Sequence, residues 1–364
     1  MAKKQYVEVG GKTRKAKKGY VSVDDKARKI KKAYVGVDGK ARAFWSGGEL
    51  RYYGTATALA QARRGLAAAT VGNYALFGGG IAASSSGESS EIVDAYDKNL
   101  TRTKAASLSD GGKSLAESVG HYAMFVSDAS RFNDHCTAYD GSLTATTTSY
   151  SHTYSKATSK AISSVGSYVL VAGGLESSKI VATVRTINDS LTIGSATSLR
   201  QAKRDIAGGK VGGYALFAGG NIFGILNTTQ KDVDAYNASL TRSSVSALSK
   251  SCSSASTATV GSYTLFHVGS GTLDVYNASL TKSTMTINTD AIGMAATSFE
   301  NYAIFAGETA VVAFNESLTC TSIKALSKKR NMGAATAIGN YALFAGGEIS
   351  SRSYSDVVDV YTID

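Results

Sequence analysis

Proline is absent from this sequence, tryptophan occurs once, cysteine three times and histidine four times. We have no physical account of the missing proline. Cys136, Cys252 and Cys320 fall far apart without metal-type spacing, so they read as free thiols of a chain made in a reducing cytoplasm. His121, His135, His152 and His267 show no ligand pattern either, so no metal and no cofactor is expected. The basic N-terminus, MAKKQYVEVGG, lacks the apolar stretch of a Sec signal. No window approaches a membrane span. Charged residues make up 18% and hydrophobic ones 43%, as in a soluble globular chain.

Repetition is what the sequence has in abundance. VGNYALFGGG (71–80) returns as VGHYAMFVSD, VGSYVLVAGG, VGGYALFAGG, VGSYTLFHVG, FENYAIFAGE and IGNYALFAGG. The shared tyrosines are Tyr74, Tyr122, Tyr168, Tyr214, Tyr263, Tyr302 and Tyr341, spaced 48, 46, 46, 49, 39 and 39 residues apart. This period indicates a propeller, a solenoid or an array. Each copy reads as a hairpin: a tight turn, Gly-x in all copies but FENYAIFAGE, then an apolar run buried on both faces. A second motif follows, as in VDAYDKNLT (93–101) and VDAYNASLT (233–241). There a β-rich run meets an Asp/Asn turn and restarts at Leu-Thr.

Each unit therefore holds four strands, and seven units make an all-β, seven-bladed β-propeller. The seventh copy breaks off at Asp364 after its third strand, whereas LRYYGTATAL (50–59) resembles a fourth strand. Residues 50–59 are expected to complete blade seven, closing the ring with an N-terminal strand and removing exposed sheet edges. The domains are expected at 1–46 and 47–364.

Phe77–Gly78–Gly79 with Tyr96, and Ala218–Gly219–Gly220 with Tyr236, resemble the kelch-repeat propeller. The likeness covers roughly residues 50–364. Blades two, five and six lack the double glycine, and no blade has the tryptophan usual in a kelch fourth strand. The resemblance implies the fold and says little about activity.

Residues 3–44 carry a different repeat: KKQYVEVGGKTRKA, KKGYVSVDDKARKI and KKAYVGVDGKARAF. Alternating Tyr-Val-x-Val runs and Gly-Gly, Asp-Asp or Asp-Gly pairs predict three β-hairpins. Tyr6, Tyr20, Tyr34 and Trp45 are the candidate attachment residues, with Trp45 opening a short linker. Three hairpins bury too little apolar surface to stand alone, so a partner, further copies or the propeller should cover them. Residues 1–49 hold 14 Lys/Arg and 5 Asp/Glu, and the remainder 25 and 23. The positive charge thus belongs mostly to this module. Phosphate binding is one reading of it. A solvated basic face is the other, favoured because stacking aromatics are not interleaved, so nucleic acid is not an expected partner.

The KKAYVGVDGKAR–FWSGGEL pattern resembles repeats at the start of tail or fibre-like proteins of phages and prophages of Gram-positive gut bacteria. That resemblance implies attachment to virion or tail proteins through residues 1–46. The strand–turn–strand period is also similar to trimeric fibrous β-spirals, which would make the assembly a homotrimer.

In a propeller, the first-to-second and third-to-fourth turns share one face, and the second-to-third loops and blade links share the other. The variable stretches 81–91, 127–134, 221–232 and 348–356, with the long link 145–163, belong to the second. Such loops carry recognition. Ile222, Phe223, Ile225 and Leu226 make either a recognition patch or a flap over a blade edge. Phe132, Tyr150, Tyr154, Arg352 and Tyr354 suit sugars or protein. Arg64, Arg204 and Arg330, each just before a first strand, either line the channel mouth or bond to neighbouring-blade carbonyls.

Catalysis has little support. No nucleophile motif accompanies the histidines, and nothing marks a sialidase or a copper oxidase. Asp134, Asp140, Glu176 and Asp205 could pair for glycoside hydrolysis only if the fold brought two together. The sequence therefore reads as a binding protein, not an enzyme. The favoured function is a phage or prophage tail-associated receptor-binding protein, reading a bacterial surface glycan or protein through its loop face. An intracellular kelch-like protein–protein scaffold and a glycan-cleaving propeller are the alternatives. Such a protein is made in the cytoplasm, ends in the virion and does not insert into membrane.

Overall fold

The computed structural model describes residues 6–9, 12–15, 20–23, 26–29, 32–37, 40–46, 49–83, 87–127, 133–151, 157–176, 179–222, 228–287, 295–308 and 310–363. Every regular element among them is a strand. Seven four-stranded antiparallel sheets follow one another along the chain. Blade one is built from Ala67–Val71, Tyr74–Gly78, Val93–Asp97 and Arg102–Lys104. The first strands form the inner ring, each touching the next, and blade seven touches blade one. Seven bladed sheets around one axis are a propeller.

Chain composition sorts by strand. First strands, such as Ala67–Val71 and Ala207–Val211, are rich in Ala, Gly, Ser and Thr, because seven of them converge on one axis. Second and third strands are buried on both faces: Ala75, Leu76, Phe77, Ala95 and Tyr96 are all 0% exposed. Phe77 packs edge-on against Tyr96 at 5.9 Å, and an equivalent pair recurs in every blade except the third, as Phe305–Phe314 in blade six, while Val171 and Ile187 stand in the third. Such edge-to-face geometry is favourable for aromatic quadrupoles.

The core is divided among the junctions. Each of seven apolar clusters draws on two neighbouring blades, from Leu343 and Tyr96 at the seven–one junction to Leu76 and Tyr139 at the one–two junction. Tyrosine hydroxyls cross the same junctions. Tyr96 donates to the Thr57 carbonyl, Tyr139 to Ala106, Tyr236 to Thr197, Tyr276 to Ser246 and Tyr361 to Lys324.

The double glycines have a defined task. The second one donates its N–H to a carbonyl in the link of the next blade: Gly80 to Gly112, Gly174 to Lys203, Gly220 to Cys252 and Gly347 to Arg63, at 2.6–2.9 Å. The first one sits at positive φ, 67° at Gly346, where a Cβ would come within 2.8 Å of the Arg63 carbonyl oxygen. Both the backbone angle and the close approach require glycine.

The ring closes as expected. Leu50–Ala56 pairs with Val358–Ile363 as the fourth strand of blade seven. Residues 57–59 already belong to the link, with the Leu59 amide donating to the Asp356 carbonyl, so the strand is shorter than 50–59. The restart at Leu-Thr is also corrected. Leu100, Leu143, Leu191, Leu240, Leu280 and Leu318 adopt φ of 58–65°, and the fourth strands begin after the following threonine. Asp97 shows why: its Oδ1 accepts the amides of Asn99 and Thr101 at 2.8 Å. The turn thus closes around the carboxylate and forces the leucine into the left-handed region.

Upstream, Tyr6–Val9 pairs with Lys12–Lys15, Tyr20–Val23 with Lys26–Lys29, and Lys32–Val37 with Lys40–Ser46. These are the three hairpins. Trp45 and Ser46 continue the last strand, with Trp45 opposite Ala33, instead of opening a linker. An aromatic residue suits a paired strand.

Removing Leu50–Ala56 should abolish the single cooperative unfolding transition, because blade seven would expose the whole edge of Val358–Ile363. Circular dichroism melting checks this. A deletion variant that melts like the parent would contradict closure by the N-terminal strand.

Candidate functional site

The two faces of the propeller are built differently. On one face, the third-to-fourth turns of blades one, three, four, five and six are all four residues long, and they repeat one hydrogen-bond pattern. On the other, second-to-third connections range from four residues in blade five to fourteen in blades one and four. Several of these fold into small ribbons. Ile81–Ala82 pairs with Arg63–Arg64, Asn221–Ile222 with Thr228–Thr229, and Glu348–Ser350 with Ser353–Tyr354. Leu175–Glu176 lies between Ala157–Thr158 and Lys179–Ile180. Backbone pairing thus holds the variable loops against the blades.

The three arginines expected at the channel mouth separate. Arg330 is 4% exposed. Its guanidinium meets Asp359 at 2.7 Å and donates to the Phe344 carbonyl at 3.0 Å, both in its own blade. Its counterparts are Arg63, which meets Asp94 at 2.5 Å and the Phe77 carbonyl at 3.2 Å, and Lys203, which meets Asp232 at 2.8 Å. The sequence comparison was one residue out of register, because Arg63–Arg64 and Lys203–Arg204 each offer two adjacent cations. The buried cation anchors the incoming link to the third strand. The amides of Ala60 and Ser327 reinforce it by donating to the same carboxylates. Burial pulls the Arg63 guanidinium down from its ordinary value, and Asp94 pushes it back up.

Arg64 does lie on the loop face, at the junction of blades seven and one. It donates to the Tyr354 hydroxyl at 3.1 Å, pairs with Glu348 at 3.3 Å and reaches the Met332 sulfur. Its guanidinium carbon is 5.4 Å from the Tyr354 ring centroid, a cation–π contact. Arg204 lies beside Asp205 at 3.3 Å, and its backbone pairs with Asn221. None of the three arginines lines the central channel.

Among the aromatic and apolar candidates, Arg352 is exposed at the tip of the blade-seven ribbon, at a φ of 64°. Ile222 is half-buried at the base of the blade-four ribbon. Phe223, Ile225, Leu226, Phe132 and Tyr154 lie outside the described residues. Tyr150 falls in the fourth strand of blade two, Ala145–Ser151, opposite Asp134, and not in a link. The seven-residue strands of that sheet absorb much of the stretch that the sequence suggested was loop. Ile349, not singled out by sequence, is 44% exposed beside Arg352.

Two concave features complete the face. The central channel, about 490 Å³, is lined by first strands of all seven blades. Lys210 crosses it to reach Glu117 at 2.9 Å and Ser164 at 3.3 Å. Most hydroxyls around it are spent on backbone: Ser118 donates to Thr70, Thr70 to Ala337 and Thr259 to Lys210. The second feature is an open groove of about 710 Å³ at blade four, lined by Arg200, Gln201, Gln230, Lys231, Asp232 and Ser251 among others. The sequence had marked its loop through the apolar Ile222 segment and passed over the polar residues that end it.

Of the carboxylates weighed for hydrolysis, Asp140 stands apart, and the Asp134 side chain lies outside the described residues. Asp140 belongs to a turn of the uniform face, where its side chain accepts the Ser142 hydroxyl and the Ser142 and Thr144 amides. These bonds hold its carboxyl below the ordinary value. Glu176 and Asp205 are on the opposite face. Burial pushes the Cys136 thiol up to about 12 and the Cys252 thiol up to about 11, away from nucleophile chemistry at neutral pH. Among the described residues no group of three His, Cys, Asp or Glu could hold a metal ion, and no helix is long and apolar enough to cross a membrane.

Comparison with known proteins returns the fold. No family model and no curated sequence matches the chain. A streptogramin B lyase structure aligns with a TM-score of 0.60 at 9% identity, covering 87% of this chain and 98% of the lyase. The structure of YjhT aligns at 0.53 with 12% identity, covering 85% and 99%. At such identities the likeness is one of architecture.

The buried and half-exposed arginines should differ in weight. Arg330→Ala, which leaves the buried Asp359 without its counter-charge, should cost roughly 3–5 kcal/mol, whereas Arg64→Ala should cost about 1 kcal/mol or less. Urea denaturation checks both, and equal losses would contradict the assignment of Arg330 to the blade seam.

Proposed function

We propose that this chain is a non-enzymatic binding protein, the receptor-reading part of a phage or prophage tail, with residues 1–46 attached to the particle. The loop face of the propeller takes up a bacterial surface glycan or protein. The observation that carries this reading is the division of labour between the faces. Leu50 pairs with Ile363 at the end of a third strand, so the chain enters the ring on the face of uniform turns. The ribbons that differ from blade to blade stand on the other. A tether at one face and variable ribbons at the opposite one suit a display protein.

The basic hairpins support the attachment half, because their charge is concentrated where contact with an assembly is expected. The lyase among the structural neighbours does not favour an enzyme here, because fold does not carry chemistry. Asp140 lies on the face opposite Glu176 and Asp205, and burial raises the Cys136 and Cys252 thiols, which supports binding over cleavage.

Labelled full-length chain should bind intact host-range bacteria and their purified surface polymer, and should still do so at high salt, where exposed charge is screened. Combined Ile222→Ala, Ile349→Ala and Arg352→Ala replacements should weaken binding at least tenfold. Lys98→Ala, in a turn of the uniform face, should not. Binding that disappears in salt, or that ignores the triple replacement but not Lys98→Ala, would contradict the reading.

A further inference from the structure

We infer that the groove of blade four is a subsite for an anionic saccharide, one bearing a carboxylate or a phosphodiester beside free hydroxyls. The inference rests on the reading of the loop face as the recognition surface and gives that surface a ligand chemistry.

Three segments meet there: the link at Arg200–Gln201, the end of the blade-four loop at Thr229–Asp232, and Ser251 in the next link. The seam that Asp232 joins is charged. Lys203 is fully buried, 2.8 Å from Asp232 and 3.6 Å from Asp234. Asp234, also fully buried, is met by Arg242 at 3.0 Å. Arg200 stands half-exposed above Asp232 at 3.5 Å, and Lys231 is exposed at the rim with its ammonium on the Ser249 carbonyl. Three cations thus meet the two carboxylates, Lys231 adds a fourth positive charge at the rim, and the surplus sits at the accessible side. A groove of that sign attracts anions.

The uncharged lining fits hydroxyls. Gln201, Gln230 and Ser251 line the opening, with the Gln230 amide nitrogen donating to Thr228. Oδ1 of Asp232 is buried and has no hydrogen-bond partner, while Oδ2 takes Lys203. A buried acceptor without a donor is rare in a folded protein and marks a place for one. Arg200, whose contact with Asp232 is a long one to Oδ2, can turn its planar fork to a carboxylate or phosphate, and a small shift of Asp232 would bring Oδ1 to a sugar hydroxyl. The corresponding positions of blades one and seven do not offer this chemistry. Ile92 and Val357 stand where blade four has Asp232, two residues before Asp94 and Asp359.

Calorimetric titration of full-length protein with three oligosaccharides of matched length tests the inference: one neutral, one uronic-acid-bearing, one phosphodiester-bearing. At least one acidic ligand should bind tenfold or more tightly than the neutral one, and the preferred arm identifies the anion. The Arg200→Ala/Lys231→Ala double variant should lose at least tenfold for that ligand with an unchanged melting curve, and Arg200→Lys/Lys231→Arg should restore part of it. Equal binding of neutral and acidic ligands, or full affinity in the alanine variant, would overturn the subsite. If no oligosaccharide binds while the protein still binds cells, the groove assignment falls and the recognition-face reading stands. If cell binding fails as well, that reading falls with it.

Discussion

The hydrogen bond from a glycine amide to the link carbonyl of the next blade is the constraint on which this ring depends most visibly. It works because a residue without a Cβ can bring its backbone against a neighbouring backbone. Gly347 spans the seam of the first and last blades in this way, bonding the Arg63 carbonyl at 2.9 Å. On the other side of that carbonyl, the Arg63 side chain is fully buried on Asp94. A single link residue therefore ties the blade behind it through its backbone and the blade ahead through its charge. A buried ion pair adds little net stability against an apolar alternative. Its value here is registry, because the cation can satisfy both Asp94 and the Phe77 carbonyl in one position only.

Where the buried cation is missing, other groups fill the junction. At blade two, Thr137 replaces the aspartate and its hydroxyl oxygen accepts the Ser109 amide. At blade five, Asp274 takes the amide and hydroxyl of Ser249 and the hydroxyl of Thr284, and Cys252 occupies the cation's place. The seams tolerate this variation because each also holds its own apolar cluster and, in most cases, a tyrosine hydroxyl on the preceding blade. Stability is thereby spread around the ring, and the loops that project from it are free to differ.

Much of the architecture was legible from period and punctuation. Seven copies of one hairpin, six of them with Gly-x-Tyr, and a fourth strand orphaned upstream of them, are features that only a closed ring uses fully. What misled the reading was local. Leu-Thr looks like the start of a strand, yet Asp97 and its equivalents capture the amides on either side of the leucine and turn it left-handed. Paired cations such as Arg63–Arg64 look interchangeable in sequence, but one side chain is buried in a seam and the other faces the loops. The Arg64–Tyr354–Glu348 group joins residues almost 300 positions apart, so only closure brings it together. The blade-four groove escaped notice because Arg200, Asp232 and Ser251 lie on two links and a loop and none is unusual alone.

The central claim is that recognition belongs to the loop face and attachment to the side where the chain enters the ring. Hydrogen–deuterium exchange of the full-length protein, free and bound to purified host surface polymer, tests it most directly. The account predicts slowed exchange in the ribbons around Asn221–Ile222 and Glu348–Tyr354 and in the link 200–203, with the turns at 98–101, 238–241 and 278–281 unchanged. Protection confined to those turns or to residues 1–46 would contradict it.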